Sequence, residues 1–537
     1  MKRYTLIYIV ALLLFSSNTA SAQMSIEDQE SASTNIRKLA NAYWLILSQY
    51  VDSVSSEKIT ENAITSMLDN LDPHSSYLNK EEVKSSNETL QGNFEGIGIS
   101  YNMIEDTLTV IETISGGPCE KLGVLPGDKI IYVNDSTIAG IKMPTTDIMK
   151  RLRGPKGTKV NVKILRQGKW IPFSIIRDKI PIYSIDAAYM LTPKIGYIKI
   201  NRFAATTYTE MLKAIMKLKS LGMSKLIVDL QSNGGGYMQS AVNIVDEFLP
   251  DNKTIVYTEG KNTPKEVLRT QNSNGIFEDG KMVILINEYS ASASEILSGA
   301  IQDWDRALIV GRRSFGKGLV QRPFTLNDGS EIRLTIARYH TPSGRCIQRP
   351  YTGGKEAYEK DMKKRYEHGE FVSADSINLP DSLKYSTLLL KRTVYGGGGI
   401  MPDVFVPADT TTMSQLDKEI FNNGIPNTVS LSYTDKHRRE LELYNNVKTF
   451  ENKFDTTNLL KDIEAELANK KIVYTAKEWE DSKELVSLRT KALVARNIWG
   501  IEAYYQIVNK EDNIVKRAIE ILSDDNKYEQ LLQTNKK

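Results

Sequence analysis

Apolar residues recur at helical spacing towards both ends of the chain and at strand spacing through its middle. Near the N-terminus Ala40, Tyr43, Trp44, Leu47 and Val51 fall at i, i+3, i+4 and i+7 positions, and Ile59, Ala63, Ile64, Met67, Leu68 and Leu71 repeat the pattern. Residues 25–91 therefore predict helices, the second of them broken at Leu71-Asp72-Pro73-His74, because proline disfavours helix at the residue before it. From Phe94 the period shortens. Short β-rich runs at 96–101, 108–114, 129–134, 159–165 and 171–176 alternate with Gly/Pro turns, and one helix is expected at 146–152. After Pro181 the rhythm changes again: strands at 195–200, 225–230, 283–287 and 307–310 alternate with helices at 208–221, 238–248 and 294–303. That alternation predicts a mainly parallel sheet layered with helices, with ligands at the carboxyl ends of its strands.

Residues 351–395 are polar and weakly periodic and read as an excursion; Gly396 to Gly399 then lead back to a short extended run at 404–406. From about Met413 onward the chain is charged and mostly helical. The N-terminus has three parts: Lys2-Arg3, an apolar run from Leu6 to Phe15, and Ala20-Ser21-Ala22. This is the pattern of a signal peptide, with cleavage before Gln23 and no cysteine for a lipid anchor. No later segment has 18 uninterrupted apolar residues, so no membrane span is expected beyond the leader. The expected division is 1–22 signal peptide, 23–91 N-terminal helical region, 92–180 β-rich module, 181–350 α/β core, 351–395 excursion, 396–412 return to the core and 413–537 C-terminal helical region.

Composition removes several function classes. Lys plus Arg number 69 against 66 Asp plus Glu in 537 residues, and losing Lys2 and Arg3 with the leader leaves a net charge of +1. Nothing in that balance favours nucleic acid as a partner. Two cysteines, Cys119 and Cys346, exclude a disulfide scaffold, and four dispersed histidines argue against a catalytic metal. Whether the two cysteines pair is open at this point.

Three segments could carry chemistry. In Asn287-Glu288-Tyr289-Ser290-Ala291-Ser292-Ala293-Ser294-Glu295, between a strand and an amphipathic helix, Ser292 and Glu295 fit a capping box. A serine at such a turn is also placed as a nucleophile, with helix N–H groups available to an oxyanion. Spacing alone does not choose among Ser290, Ser292 and Ser294. Gly311-Arg312-Arg313-Ser314-Phe315-Gly316-Lys317-Gly318 approximates a Walker A loop, but Gly318 replaces the Mg²⁺-binding hydroxyl and a strand follows instead of a helix. No nucleotide, metal or other cofactor is expected. Lys317 is instead a candidate base, either a solvated surface charge or an amine desolvated beside Phe315, Leu319 and Val320. A neutral lysine next to serine makes a workable dyad. The rival, a Ser-His-Asp triad, would need His340, which has no carboxylate near it in sequence and reads as structural. The third segment, Asp229-Leu230-Gln231-Ser232-Asn233-Gly234-Gly235-Gly236, ends a strand and could aim N–H groups at one oxygen.

In combination these motifs resemble the carboxyl-terminal processing peptidases, or tail-specific serine proteases. The resemblance spans about residues 40–407 and rests on motifs in order: Leu71 to Leu78, Phe94-Glu95-Gly96-Ile97-Gly98, Pro126-Gly127-Asp128, Leu152 to Thr158, the Asn-Gly-Gly-Gly turn, Ser290 to Glu295, Phe315 to Gln321, and Tyr339 to Gly344. It implies a ClpP/crotonase-like α/β protease core with an inserted PDZ domain and helical N- and C-terminal regions. It further implies Ser292 as nucleophile, Lys317 as base, Gln321 as the amide that orients the lysine, and an oxyanion hole from the N–H groups of Gly235 and Ala293. Glu95, Gly96, Ile97 and Gly98 become the loop that holds a substrate's terminal carboxylate, with the 146–152 helix as the other groove wall. Three positions depart from the family: Gln231 and Gly234 stand where Arg and Pro are usual, and His340 where a second Tyr is usual before Thr-Pro. The expected partners are protein substrates taken by their C-terminal tails. The helical ends, with Trp44, Leu47, Trp479 and Trp499 outside the core, suggest self-association or an envelope adaptor. The alternatives are an inactive PDZ-bearing peptide-binding scaffold and a crotonase-type acyl-group enzyme.

Overall fold

Six strands form the central sheet of the computed structural model, which describes residues 26–409 and 414–533. The expected signal peptide lies outside the described residues. In spatial order the strands are Ile185–Met190, Ile195–Ile200, Lys225–Asp229, Lys281–Ile286, Leu308–Gly311 and Val404–Phe405; the first pair is antiparallel and the rest are parallel. Ile195–Ile200 and Leu308–Gly311 are buried at every position, as apolar runs must be when a sheet is covered on both faces. On one face pack the helices Thr207–Ser220, Met238–Val245 and Ala293–Asp303. On the other lie Ile514, Val515, Ala518, Ile521, Leu522 and Tyr528 from the last two described helices. The C-terminal region is thus partly a layer of the core and not only an appendage. Its remaining helices, among them Ile425–Leu441 and Ala476–Trp499, close around their own apolar cluster, against which Trp479 and Trp499 pack.

A second sheet centres on Glu331–His340, which pairs with Leu319–Thr325, Thr254–Gly260 and Ser76–Leu78. The N-terminal region was expected to be helical throughout; Ser76–Leu78 is a strand within it. Three residues carry no readable period, and this strand exists because Ser76 and Leu78 pair with Arg333 and Glu331. The pairing delivers the Asp72–Ser75 turn into the interior, where Asp72 and Ser75 are buried.

The β-rich module joins the core through two paired segments, Asn93–Gly96 and Asp178–Pro181. Its sheet runs Ile99–Ile104, Thr107–Thr113, Lys129–Val133, Lys159–Arg166, Lys169–Ile176, and Ile148 and Leu152 of the helix Thr145–Leu152 fill its core. Among the described residues Ile99–Ile104 is an edge strand, open to addition of another chain on one side. The module also docks on the C-terminal helices: Arg438 donates to the Pro126 carbonyl (2.6 Å) and Gln167 to that of Asp435 (2.8 Å).

The polar excursion is not a solvated loop. Its short helices Gly354–Glu359 and Asp361–Glu367 and the ribbon Lys384–Ser386/Thr393–Tyr395 hide ion pairs, including fully buried Arg392 against Asp305 and Asp403 at 2.6 Å each. Charge read along the sequence suggests solvent; charge paired in space supports burial. Cys119 and Cys346 are both free, Cys119 in the core of the β-rich module.

Candidate active site

The strand Lys281–Ile286 runs into a tight turn that starts the helix Ala293–Asp303. Three serines sit on it, and their surroundings separate them. The Ser290 hydroxyl is fully buried and donates to the Leu230 carbonyl (2.8 Å); that of Ser294, also buried, donates to Asn233 (2.9 Å). Both are structural. Ser292 is only half-buried, and its backbone holds φ +56° and ψ −113°, a strained conformation for a residue with a side chain. Such strain persists only where the surroundings over-determine it, and Glu295 is the means. The capping box forms, with Glu295 accepting the Ser292 N–H at 2.8 Å.

Glu295 does more than cap. Its carboxylate also accepts the N–H groups of Gly316 (2.7 Å) and Lys317 (2.9 Å) and the Ser314 hydroxyl. One buried side chain thereby ties the serine turn to the lysine loop. Burial pushes its pKa up to about 7, against the pull of those donors. Tyr339 ties the same two segments from the other side, its one hydroxyl proton shared between the carbonyls of Lys317 and Ser292. Lys317 itself has a lowered pKa: burial dominates, Glu295 and Asp72 oppose it, and Arg333 adds to it.

Gly235 lies against the serine turn. A Cβ there would stand 2.8 Å from both the Ala291 carbonyl oxygen and the Ser292 Cβ, and 3.0 Å from the Ala293 nitrogen, and its φ is +99°. Only glycine fits. Gly235→Ala is expected to push the serine turn away and to lower kcat for peptide cleavage at least about tenfold, which steady-state kinetics would check. The Gly235 N–H is engaged by Asn233 Oδ1 (2.9 Å), whereas Ala293, first in its helix, has an N–H with no intrahelical acceptor. Gln321 lies next along the strand from the lysine loop and donates to the Thr335 hydroxyl (3.3 Å). Gln231, in place of the family's usual arginine, reaches Asp229 (3.3 Å) and Asp512 (3.4 Å) of the C-terminal region.

Glu95, Gly96, Ile97 and Gly98 lie apart from this cluster, at the junction of the neck strand with the β-rich module. The Ile97 and Gly98 carbonyls accept from Cys119 (3.1 Å) and Ile114 (3.0 Å). His340 stacks on Tyr257 at 4.7 Å and 2°. It does have a carboxylate neighbour, Glu259 at 3.6 Å, which the sequence could not show because it comes from a paired strand.

Residues 194–355 match the model of peptidase family S41, 96–176 that of the PDZ domain, and 5–82 that of the activating protease CtpB N-terminal domain. The carboxy-terminal processing protease CtpA of Bacillus subtilis is 35% identical over 350 residues, covering 64% of this chain and 73% of that protein. The chain belongs to the carboxy-terminal processing proteases. A probable CtpA-like serine protease of Staphylococcus aureus is 36% identical over 316 residues, covering 58% of this chain and 62% of its own length. Among solved structures, the photosystem II D1 C-terminal processing protease is 25% identical with a TM-score of 0.35, over 70% of this chain and 94% of that one. Residues 417–500 match a family of unknown function. As a serine-type processing protease with a PDZ domain, the chain has the α/β core and helical ends that its motifs imply. Among the described residues no helix is long and apolar enough to cross a membrane, and no group of side chains could hold a metal ion. Sequence reasoning missed Tyr339 as a clamp and Glu295 beyond its cap. The spacing of Ser292 and Glu295 signalled the cap, but nothing local signalled contacts to residues 314–317.

Proposed function

We propose that this protease is exported and cuts proteins near their C-terminal tails through a Ser292–Lys317 dyad. The observation that carries the reading is the double clamp: Glu295 and Tyr339 each bond to both the Ser292 and the Lys317 backbone. Segments 25 residues apart in sequence are held together around a half-exposed serine and a desolvated lysine. Neutral Lys317 takes the Ser292 proton as the oxygen attacks the scissile carbonyl carbon. The resulting oxyanion is met by the Ala293 N–H and by the Gly235 N–H as it leaves Asn233. Collapse breaks the C–N bond, the lysine ammonium protonates the departing amine, and water then hydrolyses the acyl-enzyme by the same proton route. Gln321 orients the lysine. The module of residues 92–180 adds the substrate tail to the edge strand Ile99–Ile104, with N–H groups of the Glu95–Gly98 loop on the terminal carboxylate. Residues 181–350 and 396–412 form the protease core, and residues 1–22 the export leader.

The test uses a peptide with an apolar free C-terminus and its C-terminal amide. Wild-type protein should cleave the first, and Ser292→Ala should cleave neither while still binding the first. Cleavage unaffected by Ser292→Ala would leave a peptide-binding scaffold as the function of this site. Equal cleavage of the amide would remove the tail-capture step.

A further inference from the structure

The turn at Asp72 reaches the protease centre although it comes from the N-terminal region, and its hydrogen bonds run towards Gln321. Asp72 Oδ1 accepts the N–H groups of His74 and Ser75, both at 2.8 Å, and Oδ2 accepts the Ser75 hydroxyl at 2.6 Å. Ser75 Oγ in turn accepts the Thr335 N–H at 3.0 Å, and the Thr335 side chain lies close enough to Asp72 to help lower its pKa. Thr335 stands opposite Gln321 across the strand pair, immediately beside an irregularity in the register between Val320 and Gln321. Thr335 Oγ1 accepts from the NH₂ end of the Gln321 amide at 3.3 Å, the role left to it when its one hydroxyl proton turns towards Asp72. The other end, Oε1, is left as an acceptor, the one group of an amide that can hold a lysine N–H.

We infer that Asp72, with Ser75 and Thr335, is a positioning residue that fixes which way the Gln321 amide faces and so aims the Lys317 amine. The inference rests on the Ser292–Lys317 reading and adds a residue to it. It also makes the N-terminal region part of the active site, since the strand Ser76–Leu78 anchors the Asp72 turn to the catalytic sheet. The charged and titratable groups around Lys317 are Glu295 from the nucleophile helix, Asp72 and His74 from the turn, and Arg333 from the facing strand. Tyr358 hydrogen-bonds His74, and the Arg349 charge also acts on it. Asp72 is the one carboxylate among these that comes from outside the protease core.

The experiment is the pH profile of kcat and KM, measured on full-length protein with a tailed peptide. Thr335→Val and Ser75→Ala break the chain but keep the Asp72 charge: kcat should fall about tenfold, with KM and the acid limb in place. Thr335→Ser keeps the hydroxyl and should restore most of the rate. Asp72→Asn should lower kcat and also move the acid limb to lower pH by at least about half a unit, because a negative charge that favours the ammonium has gone. Wild-type kcat in Thr335→Val, or a Thr335→Ser as damaged as Thr335→Val, would overturn the inference. So would an Asp72→Asn profile with an unmoved limb. If Asp72→Asn fails to fold, the threonine and serine variants decide alone. Lys317→Ala in the same assay separates the two levels: activity surviving there sinks the dyad itself, whereas activity lost there and normal in the chain variants sinks only this inference.

Discussion

Lys317→Met should lose about 10²–10⁴-fold in kcat/KM, the range for removing a positioned general base, and should melt at a higher temperature than wild type at neutral pH. The two effects share one cause. Lys317 is desolvated, which lowers its pKa from the ordinary lysine value. The folded state therefore binds this proton less tightly than the unfolded chain. Stability from this group is present above the unfolded pKa and is lost as pH falls through the folded one, so at neutral pH the buried amine weakens the fold. Methionine has similar length and no charge, and it removes the penalty together with the base. Lys317→Arg should be as inactive, because a guanidinium does not give up its proton. His74 does not substitute: burial is the largest of the causes that lower its pKa, and burial stays when Lys317 is replaced. Wild-type kcat/KM should climb as pH rises and the amine becomes neutral. A kcat/KM within tenfold of wild type in Lys317→Met, or a lower melting temperature at neutral pH, would contradict this account.

How much of this was legible in the sequence depended on whether a feature is local. The strands of the parallel sheet and their helices from Ile195 to Gly311 carry uninterrupted apolar runs or helical stripes, and each lies within a few residues of its expected place; the antiparallel pair Thr254–Gly260 and Thr263–Arg269 between them was not among the expected elements. The serine turn announced itself through the spacing of Ser292 and Glu295, and the lysine loop through its glycines. What stayed hidden depends on pairing between distant segments. Ser76–Leu78 is a strand only because Glu331–His340 lies beside it; Glu259 meets His340 only through another such pairing. The Glu295 and Tyr339 clamps join backbone groups, which the side-chain sequence does not record. Spacing could not choose Ser292 over Ser290 and Ser294, and the family resemblance did; burial separates them independently, since all three sit on one turn and differ in what their hydroxyls touch.

Glu295→Gln should cost about 10²-fold in kcat, although the side chain keeps its shape, because the clamp is built for an acceptor on both arms. Oε1 receives the Ser314 hydroxyl and the Gly316 N–H; Oε2 receives the N–H groups of Ser292 and Lys317. A glutamine has one oxygen. Whichever arm carries its NH₂ then faces at least one backbone N–H, which cannot turn around, so either the serine turn or the lysine loop loses its tie. The stability of the two proteins should also diverge with pH in a definite direction. Burial raises the Glu295 pKa from 4.5 to about 7, so the folded state holds the proton more tightly than the unfolded chain. The stability this confers is complete below pH 4.5 and is lost as pH rises to about 7, a change of order 3 kcal/mol. Glutamine has no such titration. Wild type should therefore lose stability relative to Glu295→Gln between those pH values and run parallel to it above them, while its own activity rises with pH as the four-acceptor carboxylate forms. Urea melts of both proteins across that range would check this. A wild-type advantage that grows with pH would mean that the donors outweigh burial and that the carboxylate is ionised throughout, which would leave the clamp in place but remove it from the activity profile.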